Sequence, residues 1–275
     1  MYVKLHAVDR EAILDYISRE PEPNVFIAGD LENYGVDSET VEFFADSQDS
    51  GWDCLVMRYR RMFIVYSHKE RYDVQATADF IARFDAIECI SGKGSVVEQL
   101  APCFPQFEAT ATYLCSCGEP LLHEPVLPQG YVLRRLIPDD AVSIIGLYLQ
   151  IQEFAHTYQG KGPEKIDLMR SDLMGEKTGY GIFKDNSLVS VALTTAETSQ
   201  SAMIVGVATH IDHRKQHLAT IVMNRLLKEQ FSKGKQFLCL FYNNPEAGRI
   251  YHKCGFREIG SYVMLRPPLA SGPAE

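Results

Sequence analysis

The chain has 275 residues, 46% of them hydrophobic and 23% charged, with a formal net charge of -9. That length suits one large or two modest folded domains. An acidic chain without a run of Lys and Arg repels nucleic acid and anionic membrane, and no stretch approaches the roughly 20 consecutive apolar residues that span a bilayer.

Met1–His6 lacks a basic region followed by an apolar core, so no signal peptide is expected. Tyr2–His6 reads as a strand, followed by helices at Asp9–Ser18 and Pro23–Glu32. Strands are predicted at Val41–Ala45, Asp53–Tyr59 and Met62–Tyr66, then a helix at Asp73–Phe84 and a strand at Ala86–Ile90. Arg58, Arg60 and Arg61 are the densest basic cluster and read as a solvated turn. Gly92-Lys93-Gly94-Ser95 follows a strand but lacks phosphate-loop spacing. Cys115 and Cys117 share one face of a strand, but no second pair completes a metal site, so no metal is expected. The seven cysteines read as reduced and mostly buried, as in a cytoplasmic protein.

The run Gly118–Gly130 holds three prolines, which favour an extended connector over helix or central strand. The pattern then restarts. Tyr131–Leu136 is a strand, and Pro138-Asp139-Asp140 opens a helix over Ala141–Phe154. A second helix is predicted at Pro163–Met174 and a strand at Tyr180–Lys184, with Asp185-Asn186 as a hairpin turn. Leu188–Thr195 and Ala202–Thr209 are further strands. The helix Lys215–Phe231 buries Leu218, Ala219, Val222, Met223, Leu226 and Leu227 on one face and ends at Gly234. Gln236–Phe241 is a nearly continuous apolar run, as in a strand covered on both faces. A short helix and a strand at Ser261–Leu265 follow, and the tail 267–275 reads as disordered. The same element types recur in the same order in both halves. The expectation is an α/β (α+β) chain built from a duplicated fold with a degenerate first copy: domains at 1–120 and 131–266, with a linker at 121–130.

Two motifs carry chemistry. In the first, Val207-Ala208-Thr209 ends a strand and Arg214-Lys215-Gln216-His217-Leu218-Ala219-Thr220 opens a long helix. Unpaired N–H groups and the positive end of the helix dipole make such a start an anion site. In the second, Asn244, Ala247 and Tyr251 lie three and four residues apart on a short helix that ends at Gly255-Phe256.

Together these motifs resemble the acyl-CoA site of the GCN5-related N-acetyltransferase superfamily, in a tandem form with a degenerate N-terminal copy. The resemblance implies two such domains, each a mixed, mostly antiparallel twisted sheet flanked by helices. It implies that acetyl-CoA is the cosubstrate, with its pyrophosphate on Arg214–Thr220. The amides of Val207, Ala208 and Thr209 would pair with the pantetheine arm and hold an oxyanion. Asn244 would touch that arm, and Tyr251 would protonate the departing thiolate. His217 departs from the family pattern, since it stands where a glycine would permit close phosphate approach and positive φ.

Glu153 and His156 are candidates for the base that deprotonates an amine, with Tyr158 and His210 behind them. No Ser/His/Asp or Cys/His arrangement suggests a covalent acyl-enzyme. The expected reaction is therefore direct acetyl transfer to a primary amine of a small molecule or peptide. A non-catalytic acyl-CoA-binding regulator is the alternative. Transfer from aminoacyl-tRNA is disfavoured by the acidic charge.

Overall fold

The computed structural model describes residues 1–48, 51–122, 125–158, 160, 162–175 and 177–268; the side chains at 47, 48, 156 and 157 lie outside that description. The disordered tail expected at 267–275 falls almost wholly outside the described residues. Contacts divide the chain into two units. One takes residues 1–115, 241–243 and those from 258 onward; the other takes 116–240 and 244–257.

The elements in order are β1 (Tyr2–Lys4), α1 (Arg10–Ser18), α2 (Val25–Tyr34), β2 (Val41–Gln48), β3 (Gly51–Tyr59), β4 (Met62–Tyr66), α3 (Val74–Ile81), β5 (Cys89–Lys93), α4 (Gly94–Leu100) and β6 (Glu108–Cys117). After the connector come β7 (Tyr131–Arg135), α5 (Ala141–Leu149), α6 (Gln152–Tyr158), α7 (Gly162–Met174), β8 (Gly179–Lys184), β9 (Ser187–Thr195), β10 (Ser201–Thr209), α8 (Leu218–Ser232), β11 (Phe237–Tyr242), α9 (Pro245–Lys253) and β12 (Arg257–Arg266).

Each unit pairs its strands by one recipe. In the first, β1, β2, β3 and β4 are successively antiparallel and β4 then pairs parallel with β5. In the second, β7, β8, β9 and β10 are successively antiparallel and β10 pairs parallel with β11. This repetition accounts for the echo in the sequence. The last strand, β12, extends the first unit: it pairs antiparallel with β5, Tyr262 opposite Lys93.

Side-chain alternation sorts the first core. Phe43, Leu55 and Met57 join Ile13, Ile17, Ile27 and Leu31 from α1 and α2. Their neighbours Phe44 and Val56 join Ala78 and Ile81 of α3 and Val96, Val97 and Leu100 of α4. Adjacent strand residues face opposite sides, so the two clusters are the two covers of one sheet. In the second unit Ile144, Ile145 and Tyr148 of α5 pack on Val191, Leu193 and Ala208. Helix α8 packs on β8, β9 and β10 and buries Leu218, Val222, Met223, Leu226 and Leu227, most of the predicted apolar face. Each such side chain contributes about 1.5–3 kcal/mol by leaving water.

Several expected elements shift, among them the last strand, which begins at Arg257 rather than Ser261. The strand predicted at Ala86–Ile90 begins three residues later, because Ala86 has φ 54° and belongs to a turn. The helix predicted over Ala141–Phe154 breaks at Gln150 and Ile151 and resumes as α6. The helix predicted from Lys215 begins at Leu218, because Lys215 and His217 take left-handed φ values of 63° and 59°. The Asp185-Asn186 turn forms as read, with both residues at positive φ (49° and 65°) as a type I′ hairpin requires.

Candidate active site

Strand β10 changes character halfway along. Its parallel register with β11 runs from Ser201↔Phe237 to Met203↔Cys239. On the other side its pairing with β9 jumps from Val205↔Leu193 to Ala208↔Val191. Two residues on β10, Gly206 and Val207, therefore oppose one on β9. Gly206 sits at φ 62°, the left-handed glycine of a bulge. Val205, Gly206 and Val207 are half-exposed, whereas the preceding four residues are buried. The bulge falls on the segment where the resemblance would place the pantetheine arm. Ala208 is buried, and Thr209 pairs with Ser190, their hydroxyls 2.8 Å apart.

The loop after β10 has no glycine, yet it passes twice through positive φ. His210 accepts the Asp212 N–H and starts a short 3-10 turn. Arg214 stays exposed while its Nε donates to the Thr209 carbonyl at 3.3 Å, tying loop to strand. Lys215 and His217 have positive φ and Gln216 between them does not. Alternating the sign of φ turns successive N–H groups to one side and makes an anion-binding concavity. Among the described residues, no backbone N–H from Lys215 to Thr220 donates to a protein acceptor; the first that does is Ile221, to His217 at 3.0 Å. Lys215 and His217 have exposed side chains, Ala219 is half-buried, and Leu218 and Thr220 are buried anchors. Gln216 accepts from the Tyr131 hydroxyl at 3.1 Å, and that oxygen lies 2.8 Å from His213 Nδ1. The departure at His217 is thus one of side chain: the backbone takes the conformation for which a glycine is usual.

The second motif is fixed by its ends. Asn244 Oδ1 accepts the Glu246 N–H at 2.9 Å, so the asparagine caps α9 and its amide nitrogen remains the group able to reach a ligand. At the other end the Phe256 N–H reaches the Tyr251 carbonyl at 3.1 Å, and the Gly255 N–H reaches that of His252 at 3.1 Å. This is a Schellman closure. Gly255 takes φ 101°, and a Cβ there would lie 2.8 Å from the Glu119 carbonyl oxygen. Tyr251 and Phe256 meet edge to face at 6.4 Å. Tyr251 is 7% exposed and Ala247 half-buried.

The base candidates fare differently. Glu153 is exposed on α6 and makes no hydrogen bond or ion pair among the described residues. His156 lies on the same helix, but its side chain is outside the described residues. His210 has both ring nitrogens engaged, Nε2 2.9 Å from Gln150 Oε1 and Nδ1 accepting from Asp212, so it is a bracket between α5 and the loop. Tyr158 packs on Tyr148 at 5.1 Å, and burial pushes its phenol upward, so it stays protonated at neutral pH.

Sequence reasoning passed over Tyr148 and Gly206. The Tyr148 hydroxyl donates to the Gly206 carbonyl at 2.9 Å. A glycine inside an otherwise apolar strand was the available signal, since such glycines mark bulges.

At the corresponding strand ends of the first unit the pairing differs. There β4 stays paired with β5 through Val65↔Gly92, and a Cβ on Gly92 would lie 2.3 Å from the Val65 carbonyl oxygen. The helix that follows, α3, is capped by Asp73, whose carboxylate accepts the Ala76 N–H where an anion would otherwise sit. Gly94 is explained by packing, since its Cβ would overlap the Ser261 side chain.

Residues 172–265 match the family model described as GNAT acetyltransferase. No curated protein matches the sequence. The fold is shared with a tandem GNAT protein from the clavulanic acid biosynthesis pathway, at 16% identity and a TM-score of 0.59 over 100% of this chain and 99% of that one. A Drosophila protein superposes with a TM-score of 0.70 at 12% identity, covering 97% of this chain and 98% of the other. A GCN5-related N-acetyltransferase from Sphaerobacter thermophilus gives 0.59 at 14% identity, over 98% and 96%. The family model therefore covers the β8–β12 span only, and over its whole length the chain shares the fold of a tandem GNAT protein.

Proposed function

We propose that the second unit binds acetyl-CoA along β10 and transfers the acetyl group directly to a primary amine of a small molecule or peptide. The observation that carries this reading is the run of undonated N–H groups from Lys215 to Thr220 at the mouth of α8. They offer a diphosphate several donors and the positive end of a 15-residue helix. Arg214 and Lys215 add charge at the same turn. Acetyl-CoA supplies the activated acyl group. The chain's residues do the rest: the Val207, Ala208 and Thr209 backbone lines the opened strand, Asn244 offers its amide, and Tyr251 gives a proton to the leaving sulfur.

On this reading the catalytic domain is the one at 131–266, and the first domain, 1–120, holds no coenzyme. Glu153 and His156 remain the proposed proton acceptors for the amine. Among the described residues Glu153 has no anchoring contact, which favours the second reading, an acyl-CoA-binding regulator without turnover. Calorimetry with acetyl-CoA followed by thiol release over an amine panel tests both. Saturable binding with amine-dependent thiol release supports the transferase. Binding with no release on any amine supports the regulator, and no binding defeats both.

A further inference from the structure

Tyr148 is a fully buried tyrosine packed against β10, and none of the roles above uses it. Its residue is 1% exposed, its ring stacked 4.7 Å from Phe154 and tilted against Tyr158 at 5.1 Å. Its hydroxyl donates to the Gly206 carbonyl at 2.9 Å. Gly206 is the bulge residue at φ 62°, and a Cβ built on it would lie 2.0 Å from the Tyr148 oxygen. The two residues are therefore shaped for each other: the phenol fills the space that a side chain at 206 would need.

A trans peptide points its C=O and N–H in opposite directions. The Gly206 carbonyl and the Val207 N–H belong to one peptide. Anchoring the first to Tyr148 fixes the second pointing away from α5. The geometry points to Tyr148 as a positioning residue that locks the β10 bulge and aims the Val207 amide at the acyl group. Burial pushes the phenol well above its usual range, so the hydroxyl remains a donor at every physiological pH. The inference rests on the proposed acetyl-CoA site; its account of the bulge itself does not.

The test uses Tyr148→Phe, which keeps the ring stack and removes one donor. With a competent amine, kcat falls about ten-fold or more, a fraction of what losing an oxyanion donor outright costs, while the acetyl-CoA Kd changes less than about three-fold. The Val207 amide signal in a 15N–1H spectrum shifts or broadens in the free protein, and signals on β7 and β8 do not. Gly206→Ala also lowers kcat, and combined with Tyr148→Phe it costs less than the product of the separate effects, because the clashing oxygen is gone. A Tyr148→Phe enzyme with unchanged kcat, or an unmoved Val207 signal, overturns the lock. If the wild-type protein turns over no amine, the acetyltransferase reading fails instead, and the Val207 signal alone decides whether Tyr148 holds the bulge.

Discussion

His217 offers the sharpest handle on the phosphate loop, because its backbone and side chain make opposite demands. At φ 59° an L-residue sits in the left-handed region, which costs roughly 1–2 kcal/mol relative to right-handed backbone. Glycine removes that cost but loses roughly 0.5–1 kcal/mol through its freer unfolded chain. His217→Gly therefore stabilises by about 0–1.5 kcal/mol, the difference of those terms. His217→Val, β-branched and ill-suited to positive φ, destabilises by about 1–3 kcal/mol. Binding separates the roles further. If backbone N–H groups hold the diphosphate, His217→Gly keeps its acetyl-CoA Kd within about three-fold, under about 1 kcal/mol. Urea unfolding and calorimetry on the two variants measure both quantities. A loss of about ten-fold or more in affinity for His217→Gly, the scale of a lost charged hydrogen bond, would mean that the imidazole is itself the ligand. The backbone argument would then fail.

Other expectations follow from the same geometry. Tyr251→Phe lowers kcat by about ten-fold or more and leaves the acetyl-CoA Kd nearly unchanged; steady-state kinetics with parallel calorimetry checks this, and equal activity removes Tyr251 from the reaction. Arg214→Ala weakens acetyl-CoA by roughly 1–3 kcal/mol, and an unchanged Kd places the pyrophosphate elsewhere. Calorimetric stoichiometry is one coenzyme per chain, because β4 and β5 stay paired through Val65↔Gly92 and Asp73 occupies the cap of α3. A stoichiometry of two contradicts that reading of the first unit.

Much of the architecture was legible because the signals were local. The Asp185-Asn186 turn, the closure at Gly255-Phe256 and the apolar face of α8 each depend on residues within a few positions of one another. Features set by distant partners were not. The bulge at Gly206 is met by Tyr148, 58 residues earlier, whose hydroxyl donates to its carbonyl. The placement of β12 beside β5 depends on a pairing across the length of the chain. His217 misled in a different way: the residue type argued against positive φ, and the loop adopts it regardless. The helix start at Lys215 was misplaced for the same reason. His210, a weaker base candidate on sequence grounds, has both ring nitrogens engaged by partners that spacing does not reveal. Glu153 could be proposed from helix spacing alone, but spacing does not say what a side chain at an exposed helix touches.

The most direct test is an acetyl-CoA titration followed by backbone amide signals. The N–H resonances of Lys215 through Thr220 should move downfield in step with saturation, as free donors acquire phosphate oxygens, and the α3 amides from Val74 to Thr77 should stay still. Saturable binding that leaves the 215–220 amides unmoved would contradict the account at its centre.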